Sequence, residues 1–156
     1  QVAKPKKTAK LQKIETKFSQ NKPMTKPKSK EQNVAEATEN VIGKKAEAPI
    51  YVAYFFKIGC QHCDRTYYDL EALKRKYPQM VVHEFNIADK DGMRMNEALC
   101  KLYQVPEIKH QATPIVFIGD KYFLGKNARL KNFEPIIRKN LKGGTEAPWI
   151  RAKPFL

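Results

Sequence analysis

Cysteine is scarce in this chain, with three residues among 156. A small, odd number of cysteines cannot build the disulfide framework of a small secreted scaffold, so that class is excluded. Long apolar runs are also missing: no stretch of about 18 apolar residues occurs, and we predict no membrane-spanning helix. No signal-peptide pattern is visible. The chain begins at Gln1 rather than Met, and we expect a cleaved signal, a trimmed anchor or an arbitrary boundary upstream.

The first 28 residues contain few of the apolar side chains that form a hydrophobic core. They consist mainly of Lys, Pro, Thr, Gln, Ser and Asn, with few apolar side chains among them. Such a segment cannot bury enough apolar surface to offset the entropy lost on ordering. We therefore interpret residues 1–28 as a polar, lysine-rich tail or linker.

The charge of the chain is strongly one-sided, with a formal net charge of +14. Lysines of the first 48 residues carry about half of it. No aromatic residues alternate with these lysines and no recognition helix is evident, so we expect no nucleic-acid partner. A tether or solvated tail is the first interpretation, and attraction to an anionic membrane surface is the alternative.

A change of pattern marks a globular domain, which we assign to residues 29–145. Ser29 and Gln32 form a capping-box pattern that predicts a helix at about 30–42. Behind it, short apolar runs alternate with segments of helical periodicity. The predicted elements are strands at 50–56, 80–87, 115–118 and 122–124 and helices at 64–77, 92–103 and 130–141. The first two strands alternate with helices, which predicts parallel pairing, and the last two form an antiparallel hairpin.

Two cysteines stand where a predicted strand ends and a predicted helix begins, in the sequence Cys60-Gln61-His62-Cys63. The free N–H groups and partial positive charge of a helix N-terminus stabilise a thiolate. Cys60 is therefore the expected nucleophile, and Cys63 is the thiol that resolves the mixed disulfide. His62 and Gln61, which lie between them, are candidates for tuning the thiolate. Gly59 permits a sharp turn and leaves room for a partner chain.

Three segments together resemble the thioredoxin superfamily. Tyr54–Cys63 is similar to its active-site strand and helix, Phe85–Asp89 to the strand that follows, and Ala112–Asp120 to its cis-proline segment. The resemblance covers about residues 30–142 and implies a thioredoxin-like α/β fold, with a central four-stranded mixed sheet flanked by helices. It also implies that Pro114 is cis beside the cysteines and that Thr113 offers its backbone to the substrate.

The chain departs from ordinary thioredoxins at the positions around the cysteines. Tyr54 stands where they have a buried acid, Gly59 where they have Trp, and Gln61-His62 where they have Gly-Pro. The His before the second cysteine is similar to periplasmic disulfide oxidases and disulfide isomerases, whereas the segment 113–120 is also similar to glutaredoxins. The direction of electron flow is therefore left open.

The remaining cysteine and histidines raise the alternative of a metal site. A zinc site would need two ligands beyond the CxxC pair, and Cys100, His83 and His110 are the candidates. We expect instead that Cys100 is a buried, inert thiol and that both histidines are structural. The C-terminal extension, residues 146–156, either packs on the domain or leads towards a partner. The stripe of the helix predicted at 64–77 is expected to be core, namely Tyr67, Leu70, Leu73 and Tyr77.

The sequence thus predicts a thiol–disulfide oxidoreductase that acts on cysteines of other proteins and needs no organic cofactor and no metal. The alternatives are a binding or adaptor module without turnover and a glutaredoxin-like, glutathione-dependent reductase. We expect a monomer in an extracytoplasmic, periplasmic or secreted location, with a possible membrane anchor upstream. An unidentified redox partner is expected as well.

Overall fold

The computed structural model describes residues 47–156. The tail at 1–28 and the helix predicted at 30–42 lie outside the described residues. The regular elements are β1 Ile50–Phe56, α1 Gln61–Lys76, β2 Met80–Asn86, α2 Lys90–Leu102, β3 Ile115–Ile118, β4 Lys121–Leu124, α3 Leu130–Lys139 and α4 Pro148–Arg151, with 3₁₀ turns at Glu107–Lys109, Gly125–Asn127 and Lys153–Phe155. None of the helices described between 47 and 156 has the length and apolarity that crossing a bilayer requires.

The four strands form one mixed sheet in the order β2-β1-β3-β4. β1 pairs parallel with β2, antiparallel with β3, and β3 continues antiparallel into β4. β1 and β3 are interior strands and read as continuous apolar runs, because both of their faces are covered. The predicted four-stranded mixed α/β sheet flanked by helices is confirmed.

One face of the sheet packs against α1 and α3. Along β1, every second residue from Ile50 to Tyr54 points to this face, as the two-residue period of a strand requires. Leu70 and Leu73 of α1 and Phe133 of α3 complete this core and are buried. Because α1 begins directly behind β1, this packing fixes where the first turn of α1 lies relative to the sheet.

The opposite face packs against α2 and the C-terminal segment. Phe55 and Phe117 form its centre with Leu99 of α2, and all three are fully buried. In the C-terminal extension, Ala152 is fully buried and Trp149 is stacked parallel on His83, with ring centroids 3.9 Å apart. The extension therefore packs on the domain.

Three features of the helices differ from the sequence predictions. The predicted core stripe of α1 is wrong at Tyr67, which is 40% exposed, whereas Leu70 and Leu73 are buried and Tyr77 is partly buried. The short helix α4 was not predicted, since four residues are too few to show a period. α1 also begins at Gln61, three residues before the predicted start, because Cys60 takes the N-cap position.

Candidate active site at the start of helix α1

Cys60 and Cys63 are joined by a disulfide at the first turn of α1, with their Cα atoms 5.2 Å apart. Cys60 is the N-cap residue, in an extended conformation, and its sulfur accepts a hydrogen bond from the backbone N–H of Cys63 at 3.2 Å. An N-cap acceptor satisfies one of the donors that the first helical turn leaves without an intrahelical partner. The same N–H and the helix dipole would stabilise negative charge on the Cys60 sulfur after reduction.

The two cysteines differ in their access to solvent. Cys63 is 2% exposed and belongs to the buried surface of α1, whereas Cys60 is partly exposed. Gly59 precedes the pair with a φ of +79°, which favours glycine, and no atom lies within 4 Å of where a Cβ would be. Ile58 beside it is 80% exposed. A partner chain can therefore approach Cys60, while Cys63 is shielded from it.

The segment before β3 reaches the dithiol from the other side. The Thr113–Pro114 peptide bond is cis, and the Thr113 hydroxyl donates to the Cys60 sulfur at 3.9 Å. Pro114 is buried, and its carbonyl accepts a hydrogen bond from the backbone N–H of Gly125 at 2.7 Å. The structure thus brings Thr113 and Cys60 together, 53 residues apart in sequence.

Tyr54 of β1 supports the first turn of α1 through a hydrogen bond. Its hydroxyl donates to the backbone carbonyl of Cys63 at 2.8 Å, and the side chain is buried. Burial, followed by the charges of Glu84 and Asp64, raises the pKa of Tyr54 well above its usual value. The phenol therefore stays protonated at neutral pH and acts as a hydrogen-bond donor rather than as a base. Its hydrogen bond was not predicted from the sequence.

A pocket of about 240 Å³ opens beside Cys63. Its walls include Tyr54, Tyr67 and the carboxylate side chains of Asp64 and Glu84. Glu84 is placed there by the sheet register, which sets it opposite Tyr54 on the neighbouring strand. The pocket thus adjoins the buried cysteine and has two acidic residues in its lining.

Gln61 and His62 occupy the first turn of α1 with exposed side chains. The backbone carbonyl of His62 accepts a hydrogen bond from the Thr66 hydroxyl at 3.0 Å. The single hydrogen of that hydroxyl is shared with the carbonyl oxygen of Ala128, which lies 2.8 Å from the hydroxyl oxygen, and this contact ties α1 to the segment before α3. Thr66 is fully buried, so this tie is shielded from water. A role of Gln61 and His62 in tuning the thiolate stays a prediction.

The zinc candidates do not gather at the dithiol. Cys100 is fully buried in α2, His83 is stacked on Trp149, and His110 bonds to Glu97 of α2. Within residues 47–156, no group of three or more His, Cys, Asp or Glu side chains is close enough to hold a metal ion.

No family model and no curated protein matches the chain. Among solved structures, it is similar to one described as "Structure of a malarial protein", with 18% sequence identity and a TM-score of 0.40. That match covers 60% of this chain and 98% of the other. At this level of similarity the match carries no argument about fold or function.

Proposed function

We propose that the domain has a thioredoxin-like fold and works as a thiol–disulfide oxidoreductase on cysteines of protein substrates. The observation that carries the proposal is the Cys60–Cys63 disulfide at the N-terminus of α1, with the first cysteine partly exposed and the second buried. A silent structural bridge gains nothing from this placement. A catalytic pair needs it, because one sulfur must meet a substrate and the other must wait behind it.

The proposed exchange takes two substitutions at sulfur. In the reducing direction, the Cys60 thiolate attacks one sulfur of a substrate disulfide, and the other substrate sulfur leaves as a thiolate. The Cys63 thiol loses its proton through the adjoining pocket and attacks the Cys60 sulfur. The second substrate thiolate leaves, and the Cys60–Cys63 disulfide closes. The substrate gains two electrons and the dithiol loses two, and the oxidising direction is the same sequence reversed.

Thr113 lies beside the Cys60 sulfur, and the exposed turn at Ile58 and Gly59 directly precedes Cys60 in the chain. We propose that a substrate segment lies between them, with the backbone of Thr113 pairing with it as an added strand. Gly59 suits this role because no side chain stands over the turn. Pro114 follows Thr113 directly and has no backbone N–H to donate. We propose that it contributes to the site by holding Thr113 towards Cys60.

The test is the equilibrium between the purified domain and glutathione buffers of graded redox ratio. We expect one reversible two-electron transition that belongs to Cys60 and Cys63. A midpoint near about −270 mV indicates a reductase, and one between about −180 and −120 mV indicates an isomerase or oxidase. Absence of a reversible transition contradicts the proposal and leaves the binding module as the function.

Three variants make the experiment specific. Cys60→Ser is expected to abolish reduction of insulin disulfides, whereas Cys63→Ser is expected to accumulate the mixed disulfide with substrate. Cys100→Ala is the matched control and is expected to keep the activity, because Cys100 lies outside the site. A binding module would keep its function in Cys60→Ser. A glutaredoxin-like enzyme would lose activity when glutathione is replaced by a protein reductant.

The lysine-rich tail, the monomeric state and the extracytoplasmic location stay predictions. We propose that the tail tethers the domain, because its composition does not support a core of its own. Attachment to an anionic surface would be seen as salt-sensitive binding of the full chain to vesicles that contain an anionic lipid.

A further inference from the structure

His110 lies between two hydrogen-bond acceptors. Its Nδ1 is 2.9 Å from a carboxylate oxygen of Glu97, and its Nε2 is 2.9 Å from the backbone carbonyl oxygen of Val105. A carbonyl oxygen only accepts, so Nε2 must carry a hydrogen. An ionised carboxylate also only accepts, so Nδ1 must carry one as well. Both contacts are therefore made together only by the doubly protonated imidazolium, whose side chain is 10% exposed.

The ring belongs to the α2–β3 loop, residues 103–114, which carries Thr113 to the dithiol. The next residue, Gln111, has a φ of +59°, a conformation that is strained for a residue with a side chain. Its backbone N–H donates to the side-chain oxygen of Asn96 at 2.9 Å. Asn96 is fully buried in α2, and among the described residues its Nδ2 has no partner. The function of the buried Asn96 side chain is therefore to accept, through its oxygen, the hydrogen bond that holds the loop.

Two adjacent residues of α2 therefore hold two adjacent residues of the loop. Asn96 holds Gln111, and Glu97 holds His110. Thr113 stands two residues further along, 3.9 Å from the Cys60 sulfur. Release of either contact lets the strained segment relax, and that relaxation shifts the group we place against substrate.

The charged groups around the ring come from two elements. α2 contributes Glu97 and Lys101, whose side chains pair at 3.5 Å, and the 3₁₀ turn contributes Glu107. The hydrogen bond to Val105 raises the pKa of His110; burial opposes this, and Glu97 and Glu107 add to it. Burial opposes ionisation of Glu97, but His110 and Lys101 together lower its pKa. Because the pKa of His110 is raised on folding, its bracing is complete at low pH and is lost as the pH rises through the folded value.

We propose that the His110 imidazolium is a positioning group that fixes the α2–β3 loop for substrate, so that deprotonation of His110 weakens substrate binding at Cys60. The effect on substrate binding rests on the proposed function. The proton-dependent fixing of the loop does not depend on it. It makes the affinity of the site for a disulfide substrate dependent on pH, separately from the titration of the attacking thiol.

The first test needs no activity. Nuclear magnetic resonance of the oxidised domain follows the ring nitrogens of His110 and the backbone amides of Gln111 and Thr113 from pH 5 to 9. We expect both ring nitrogens to be protonated at low pH, and the two amides to shift with the same midpoint as the ring. A neutral ring at pH 5, or amides that do not follow the ring, overturns the inference.

The second test measures the single-turnover oxidation of the reduced domain by insulin at several insulin concentrations. The half-saturating concentration is expected to rise roughly tenfold from pH 6 to pH 9, the factor that the loss of one ordinary hydrogen bond corresponds to. For each variant described below, the rate is divided by the rate of the parent at the same pH. The titration of Cys60, which variant and parent share, cancels in this ratio. A half-saturating concentration independent of pH overturns the inference.

Two variants separate positioning from mere stability. The amide introduced by Glu97→Gln can donate to Nδ1, so the neutral ring then satisfies both contacts, and we expect tight binding at both pH values. His110→Leu is expected to bind weakly at both pH values and to match the parent at pH 9. His83→Gln is the control histidine and is expected to keep the parent profile.

The outcomes distinguish this inference from the proposed function. If the Cys60–Cys63 pair shows no reversible transition in glutathione buffers and insulin is not consumed at any pH, the oxidoreductase proposal fails, and the magnetic resonance titration still decides the fixing of the loop. If insulin is consumed but Glu97→Gln keeps the pH dependence of the parent, the inference fails alone. Where His110→Leu does not fold, Glu97→Gln carries the test, because it preserves the size and hydrogen bonding of the replaced side chain.

Discussion

The dithiol turn and the interior of helix α2 place the same chemical group in opposite environments. Cys60 caps the N-terminus of α1, partly exposed, with an N–H group pointing at its sulfur. Cys100 lies in the third turn of α2, fully buried, and its thiol contacts the side-chain oxygen of Asn96 at 3.6 Å. Burial, reinforced by the charge of Glu97, raises the pKa of Cys100 to about 12.

The difference shows that the position on a helix, rather than the residue type, decides what a thiol can do. At a helix start, the backbone N–H groups lack intrahelical partners and are available to an anion. In a helix interior, those groups are used by the helix, and burial penalises any charge. The two cysteines lie in helices on opposite faces of one sheet. The difference between their environments therefore comes from the local structure around each thiol.

The largest effect expected from this contrast is in alkylation. In the reduced, folded domain at pH 7.5, iodoacetamide is expected to modify Cys60 more than about a thousandfold faster than Cys100. A thiol with a pKa of about 12 is thiolate in only about one molecule in 30,000 at this pH, and burial blocks the reagent as well. Mass spectrometry of quenched, digested samples gives both rates.

Denaturation supplies the control for this ratio. In a denaturant, both thiols lose their structural environment and have ordinary pKa values near about 8.5, so their rates are expected to agree within a few-fold. Comparable rates in the folded domain would break the comparison, since they would mean that Cys100 is reached without unfolding.

Much of this contrast could be predicted from the sequence, because it is local. A buried strand followed by helical spacing predicts that the cysteine pair lies where β1 gives way to α1, although the predicted helix start at 64 is three residues late. Cys100 sits beside Leu99 in an amphipathic segment. The interior strands β1 and β3 were predicted from continuous apolar runs. Tyr67 was expected in the core but is exposed, because the period of a helix shows which residues share a face and not how far the neighbouring element covers that face.

The contacts that position the site could not be predicted in the same way. The Tyr54 hydroxyl meets the carbonyl of Cys63 only because α1 folds back over β1. His110 meets Glu97 through a pairing that spans two elements, whereas the approach of the Thr113–Pro114 segment to Cys60 was expected from the family resemblance alone. Such contacts depend on the orientation of packed elements, for which a single sequence carries no periodic signal.

A smaller effect is expected from removing the support under the dithiol. Tyr54→Phe deletes the hydroxyl that donates to Cys63 in a buried setting, and it is expected to lower the free energy of unfolding by about 1.5 kcal/mol. Urea unfolding of the oxidised domain measures it. Tyr68→Phe is the matched control, because Tyr68 is 70% exposed and its change is expected to stay within about 0.5 kcal/mol. Equal effects of the two variants would show that the hydroxyl of Tyr54 supports nothing.

The smallest effect is expected at the other cysteine. Cys100→Ala removes one buried sulfur and leaves a small void, and it is expected to lower the free energy of unfolding by about 1 kcal/mol. The midpoint of the Cys60–Cys63 redox transition is expected to stay unchanged in glutathione buffers, because the sheet separates the two thiols. A shifted midpoint would mean that packing under α2 reaches the dithiol. The α2–β3 loop, which contacts both Asn96 and Cys60, would then be the connection to examine by combining Cys100→Ala with Glu97→Gln.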